Sequence, residues 1–387
     1  GFSWKHINDN NSFIDSYFFY QKRDFNTKLP FNYGGIIFLE RDYYGIGTKY
    51  SKKFLSANKT RTVTLGIDHT NQHDDRKRFK NNLGEQGEKT FDQIEKFKNT
   101  GVYLINQTEY ESGLLFRYGV RFDDNKIGTD SEEFISLNKF NPSLGLSYSI
   151  NDSNNVYFSA GTSFETPTLN ELSNNPNGNG LNKNLDPSSS INYEIGWRKS
   201  ASSLLLQATA YLINTDNEIL PYEIEEFPGK NFYRNVGSTR RYGIELSSQL
   251  LFSNGKLNLS YTNSKNLFKD FNLNGNDLKD LSLPGIPDQI LDIELIFDLS
   301  KGQSLSISNR LIGELYADNL NETKTSSYNL LNLTYSKQIF KNSQVYLGVN
   351  NLLDVNYYDN IRINAFGKRY FEPAPKRNFH FGINFSF

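Results

Sequence analysis

The last ten residues read NFHFGINFSF (378–387). Phe379, Phe381, Ile383, Phe385 and Phe387 take every second place, with Asn378, His380, Gly382, Asn384 and Ser386 between them. Two-residue alternation puts each set on its own face of a β-strand. One face is then apolar and largely aromatic, the other small and polar. The pattern recurs upstream. LLLQATAYLI (204–213) sets Leu204, Leu206, Ala208, Ala210 and Leu212 against Gln207, Thr209 and Tyr211. LNLSYT (257–262) sets Leu257, Leu259 and Tyr261 against Asn258, Ser260 and Thr262. VYFSAGTSF (156–164) and VYLGV (345–349) follow it more softly.

The connections say how such strands are joined. Short polar turns stand at INDSNN (150–155), KSASS (199–203), FSNGK (252–256), LSKGQ (299–303) and FKNSQ (340–344). Between them lie long links at 165–188, 217–234, 267–285, 318–326 and 357–376. A meander with tight turns at one end and long loops at the other is how an outer-membrane barrel is built. A soluble sandwich, with its Greek-key crossovers, does not sort loop length by end. The reading is therefore all-β: an antiparallel up-and-down transmembrane β-barrel, with short turns in the periplasm and long loops outside. Residues 378–387 form its closing strand, phenylalanines toward lipid.

The N-terminal third continues the pattern, with strands near 11–24, 34–54, 58–78, 97–110, 113–124 and 138–150 and a stub at 1–7. GEQGEKTFDQIEKF (84–97) reads as a charged loop with room for one helical turn. The total is about 17 strands. Bacterial barrels close on an even number, so strands are expected to be missing upstream.

Composition agrees with this class and excludes others. Lys plus Arg number 42 against 43 Asp plus Glu, and no basic stripe suggests nucleic acid. The mean hydropathy of −0.61 and the lack of a long apolar run exclude a helical membrane protein. They do not exclude a barrel, whose strands show lipid only alternate residues. There is no cysteine, hence no disulfide or thiolate metal site. The 24 Tyr and 30 Phe suit interfacial aromatic belts.

Several segments resemble TonB-dependent outer-membrane receptors. VYFSAGTSFETPTLNELSNN (156–175) carries an aromatic-x-x-Pro corner from Phe164 to Pro167, then Asn170 and Glu171. LNKNLDPSSSINYEIGWR (181–198) carries Asn-Leu-x-Pro ending at Pro187, then Tyr-Glu-x-Gly with Glu194 and Gly196. YRNVGSTRRYGIEL (233–246) is similar to an Asn-x-Gly…Gly-x-Glu strand with Gly243 and Glu245. VNNLLDVNYYD (349–359) and RYFEPAPKRNFHFGINFSF (369–387), with its terminal Phe387, complete the resemblance in family order.

The resemblance implies part of a 22-stranded barrel that spans residues 1–387, without the family's N-terminal plug, first strands and TonB-contacting segment. It implies a monomeric receptor, integral to the bacterial outer membrane, that imports a scarce chelate, foremost a ferric siderophore, with energy from TonB. The motif residues first serve construction. Gly196 and Gly243 admit a neighbouring backbone or loop, Pro167, Pro187 and Pro373 sit at strand ends, and Glu194 and Glu245 point inward. A passive porin of 16–18 strands would instead show an inward-folded charged loop and a complete even set of strands. A surface β protein for adhesion or glycan binding would fold without detergent.

No catalytic motif is present: G-x-x-x-x-G-K-[ST], H-E-x-x-H, G-x-S-x-G and G-x-G-x-x-G are all lacking. The expectation is a transporter without catalytic residues, cofactor or resident metal. DDNKIGTDSEE (123–133) matches a calcium loop over half its length only, since Ile127 stands where an oxygen ligand belongs. Candidate ligand contacts are Tyr222, Phe232, Tyr233, Arg234, Arg240 and Arg241, with Arg362, Arg369 and Tyr370 in the last long loop. Arginine pairs with anionic oxygens and aromatic rings add flat contact area. Haem is disfavoured, because 165–188 lacks the histidine that haem-importing members carry in that loop.

Overall fold

A computed structural model describes residues 1–9, 11–30, 34–178, 180–300 and 302–385. A 17-stranded antiparallel sheet dominates it. Its strands begin with β1 (Phe2–Asp9), β2 (Ser12–Lys28), β3 (Ile36–Ser56), β4 (Lys59–Asn82) and β5 (Glu85–Tyr110). They continue with β6 (Leu114–Thr129), β7 (Ile135–Asn151), β8 (Asn154–Glu165), β9 (Ser188–Ala201) and β10 (Leu204–Asp216). Seven more follow: Ser238–Phe252, Gly255–Asp270, Gln289–Ser300, Gln303–Ile312, Tyr328–Phe340, Ser343–Asn350 and Asn378–Phe385. The chain forms two compact units. The first comprises Gly1–Ser147, Ser159–Asn192 and Thr215–Gly237; the second comprises Tyr148–Phe158, Tyr193–Asn214 and Ser238–Phe387.

In the first unit, β1 to β6 pair in chain order. Register sorts their side chains by face. Phe18 stands opposite Ile46, Tyr50 opposite Leu65, Ile67 opposite Val102, and Val102 opposite Phe122. All are exposed. The other face is polar and internally bonded. Tyr17 Oη donates to Asp68 Oδ1 at 3.0 Å, and Arg121 donates to Asp68 at 2.9 Å and to Asp123 at 2.8 Å. A sheet with a broad exposed apolar face and a hydrogen-bonded polar one is an inside-out arrangement for water and the right one for lipid.

The charged stretch 84–97 is not a loop with a helical turn; nearly all of it lies in β5. Its alternation is Phe91, Gln93 and Glu95 against Asp92 and Ile94, opposite Arg78, Arg76 and Asp74 of β4. About 9–11 residues span a bilayer, so strands of 21, 24 and 26 residues (β3, β4, β5) project well beyond it. In that watery extension charge is admitted on both faces, which hides the strand period. Residues 123–129 likewise belong to β6, with Ile127 buried in a loop core, so no calcium loop forms there.

The second unit pairs in series from Ser238–Phe252 to Asn378–Phe385. Phe379, Phe381, Ile383 and Phe385 of the last strand are 72%, 67%, 47% and 61% exposed. Exposure on that scale leaves all four side chains for lipid rather than for a protein core. Phe387 lies outside the described residues. Four of the long links carry short hairpins, Ile219–Tyr222 with Phe232–Asn235 among them.

Candidate functional site

In the first unit the chain leaves β8 at Glu165, turns through the buried Pro167 and enters a short helix α1 (Leu169–Ser173). Thr168 caps it. The Glu171 amide donates to Thr168 Oγ1 at 3.2 Å, and Glu171 Oε2 accepts from the Thr168 amide at 2.7 Å. That reciprocal pair is a capping box. The Pro-x-x-Asn-Glu part of the motif is therefore a helix start. Leu169 and Leu172 pack with Ile127, Leu181 and Leu185 into a small apolar core. Phe164 lies under the Lys139 ammonium, 5.8 Å from its ring centroid, and Pro187 sits directly before β9.

The projecting ends of β3, β4 and β5 hold this corner with buried charge. Arg41 donates twice to Asp74, at 2.8 and 2.6 Å. Arg76 donates through Nε to both Glu95 oxygens, at 3.0 and 3.1 Å. Its Nη1 reaches toward Asn170 Oδ1 at 3.5 Å. Arg78 Nη2 donates to Asn174 Oδ1 at 2.8 Å, and its guanidinium stacks over the Phe91 ring at 5.0 Å. Among the described residues Arg78 forms no ion pair, and its buried Nε has no hydrogen-bond partner.

The hairpin 219–235 brings Tyr222, Phe232, Tyr233 and Arg234 together. Tyr222 pairs with Phe232, and the Arg234 guanidinium lies 4.0 Å over the Tyr222 ring. Burial lowers the Arg234 pKa and raises that of Tyr233. Phe232 is wholly buried, so its ring packs the hairpin rather than offering a surface. At the hairpin tip, Lys230 Nζ sits 4.7 Å over the Phe232 ring and 5.4 Å over Phe227. Burial, and then the charge of Arg78, bring the Lys230 pKa down to about 8. Burial, and then Arg76, bring that of Arg78 down to about 10. Arg78, Phe91, Asn174, Phe227, Lys230 and Tyr233 line a pocket of about 480 Å³ with further loop residues. Two cations face one cavity, among the described residues neither has a carboxylate bound to it, and aromatic rings flank them. The cavity therefore presents positive charge beside aromatic rings.

The other candidates lie in the second unit. Arg240 donates to Asn214 at 3.0 Å and Arg241 to Thr239 at 3.2 Å. Arg369 is exposed and donates to the Phe366 carbonyl, and the Arg362 amide donates to the Tyr370 carbonyl. Tyr370 is buried with Ala317 and Ala365, which makes it loop packing. Glu194 and Glu245 lie on the face opposite the exposed Ile195 and Ile244. Sequence reasoning missed Arg78 and Lys230. The alternation Asp74, Arg76, Arg78 was a usable signal for the first; nothing local marked the second.

Residues 1–352 match the family model described as TonB dependent receptor-like, beta-barrel. The chain belongs to the TonB-dependent receptor β-barrel family. It is accordingly an integral protein of the bacterial outer membrane, and the exposed apolar face is its lipid face. It is 28% identical over 285 residues to the vitamin B12 transporter BtuB of Photobacterium profundum, covering 71% of this chain and 42% of that protein. It is 22% identical over 313 residues to the probable TonB-dependent siderophore receptor PiuA of Acinetobacter baumannii, covering 75% and 41%. The chain thus spans about two-fifths of the curated relatives it matches. Among solved structures, the unliganded ferric citrate transporter FecA superposes with a TM-score of 0.79 at 17% identity, over 99% of this chain and 60% of that one. The siderophore receptor PiuA of A. baumannii gives 0.76 at 16%, over 99% and 63%. At such identities the likeness establishes the barrel fold.

Proposed function

We propose that this chain is the barrel of a monomeric outer-membrane receptor that imports a ferric siderophore, with energy delivered by TonB through a segment outside residues 1–387. Transport by this family is not enzymatic, and the iron is cargo rather than a resident metal. The supporting observation is the pocket where Arg78 and Lys230, which among the described residues form no ion pair, stand beside Phe91, Phe227 and Tyr233. Ferric catecholate and carboxylate chelates are anionic and rich in planar oxygen donors, so they offer what those groups bind. Arg234 and Tyr222 on the same hairpin would extend the contact. On the second unit, Arg240, Arg241, Arg362 and Arg369 are separate candidates for anionic oxygens. Cobalamin offers a single phosphodiester and no array of planar catecholate or carboxylate oxygens, so it matches the two cations and their flanking rings less well.

The test is equilibrium binding to the full-length receptor in detergent. A ferric catecholate or ferric citrate should bind saturably, and Arg78→Gln with Lys230→Gln should weaken it together. Saturable binding of cobalamin or haem alone, with neither iron chelate retained, would refute the assignment.

A further inference from the structure

A second concave site lies on the opposite face of the first unit, far from the loops. It sits at the β3–β4 hairpin, whose turn is the two-residue Ala57–Asn58. Tyr50, Lys52 and Phe54 of β3 and Lys59, Arg61 and Leu65 of β4, with their neighbours, line a hollow of about 440 Å³. Register fixes the face: Tyr50 opposes Leu65, Lys52 opposes Val63, and Phe54 opposes Arg61. This is the face of Ile46 and Ile67, which the bilayer covers. The hollow is therefore entered from lipid. Short turns of outer-membrane barrels lie in the periplasm, so the leaflet at this level is glycerophospholipid.

Lys52, Lys59 and Arg61 bring three positive charges to it, and among the described residues none of them has a carboxylate within ion-pair distance. The contrast is local: Lys49, on the other face of β3, pairs with Asp15 at 3.3 Å. The three cations are held rather than trailing. Lys52 Nζ lies 5.6 Å over the Phe54 ring and Lys59 Nζ 5.9 Å over Tyr110. The Arg61 Nε donates to Asn106, itself only 4% exposed, and Asn106 donates on to Thr108 at 3.3 Å. Toward the membrane centre the hollow is walled by Tyr50, Val63 and Leu65, which are apolar or present a ring. Charge lies at the interface and hydrocarbon surface beneath it, which is the profile of one lipid molecule.

We infer that this hollow binds an anionic glycerophospholipid of the periplasmic leaflet, with its phosphodiester on Lys52, Lys59 and Arg61 and an acyl chain along Val63 and Leu65. Charge-assisted contacts to phosphate oxygens satisfy all three cations at once, whereas a zwitterionic headgroup offers the same phosphate but adds its own cation to the three already there. The site does not depend on which chelate the receptor imports.

The full-length receptor should be extracted in mild detergent, exchanged against equal phosphatidylglycerol and phosphatidylcholine, and read by native mass spectrometry. Wild type should retain one phosphatidylglycerol with at least tenfold preference. The triple variant K52Q/K59Q/R61Q should lose that preference, and Lys52→Gln alone, conservative enough to fold, should reduce it severalfold. Lys53→Gln removes the same charge from the other face and should leave it unchanged. Equal retention of both lipids by wild type, or undiminished preference in either variant at the site, would overturn the inference. Retention of lipopolysaccharide in place of phosphatidylglycerol would overturn its leaflet.

Discussion

The ring of Tyr157 lies where a side chain on Gly196 would have to be. A β-carbon placed on Gly196 would meet that ring at 2.4 Å. The phenol is held there: its Oη donates to Glu194 Oε1 at 2.6 Å, lies 2.9 Å from Thr209 Oγ1, and the Arg198 guanidinium stacks over the ring at 4.7 Å. The Glu-x-Gly part of the motif is thus a lock: Glu194 accepts from Tyr157 of β8 and Gly196 makes room for that ring. Gly196→Ala should therefore destabilise the barrel by roughly 1–3 kcal/mol through overpacking. Tyr157→Phe keeps the ring and leaves Glu194 short of a donor, at a cost of about 1–3 kcal/mol. Urea unfolding in detergent, followed by the gel shift between folded and heat-denatured barrel, measures both. Wild-type stability of Gly196→Ala would show that the ring can move aside.

The chain's end makes a cleaner case. Phe381 is 67% exposed on the strand that pairs with Ser343–Asn350, and that surface is hydrocarbon-facing. Phe381→Lys should cost about 2–4 kcal/mol if the position lies near the midplane, less toward the interface. Insertion yield into preformed vesicles is the readout, with Asn384→Lys, on the other face of the same strand, as the tolerated comparison. Equal yields would mean that Phe381 does not touch lipid.

How legible the protein is in sequence depends on which period carries the signal. NFHFGINFSF declares its strand because lipid demands apolar residues at every second place, and nothing else competes. The projecting half of β5 does not. Water on both sides lets Lys89, Asp92 and Glu95 stand in one run, and only the partner strand reveals that Glu95 faces inward onto Arg76. The motif residues were readable as construction. Their partners were not: Tyr157 over Gly196 needs the register, and the approach to Gly243 is the Asn263 carbonyl of the adjacent strand. Lys230 and Arg78 line one pocket only because a loop hairpin folds back on a strand distant from it in sequence. No local pattern encodes that.

The buried pair Arg76–Glu95 separates charge from shape. Arg76 is 4% exposed and Glu95 wholly buried. Breaking one side, as in Glu95→Gln or Arg76→Met, should cost about 3–5 kcal/mol because the survivor stays buried without its partner. The double variant Arg76→Met with Glu95→Leu should recover most of it. Since Arg76 also reaches Asn170, the single variants should loosen α1, which limited proteolysis within 165–188 will report. Additive losses in the double variant would place the cost elsewhere than in the stranded charge.

Lys230 yields a pH prediction with two opposite slopes. Its folded pKa is about 8 and its ordinary one 10.5, so between those values the unfolded chain binds more protons than the folded one. Stability contributed by this group therefore rises as pH climbs from 8 toward 10.5, and is lowest where Lys230 is charged. Binding runs the other way. An anionic chelate needs the ammonium, so its affinity should fall as pH passes through 8. Lys230→Met removes both effects: the loop is no less stable at pH 7, while chelate affinity drops roughly tenfold to a hundredfold, as for a lost charge-assisted bond. Titrating ferric chelate binding at pH 6.5, 8 and 9.5 in wild type and Lys230→Met decides it. A pH-independent wild-type affinity, or a variant with the same slope, would assign the charge at that pocket to some other group.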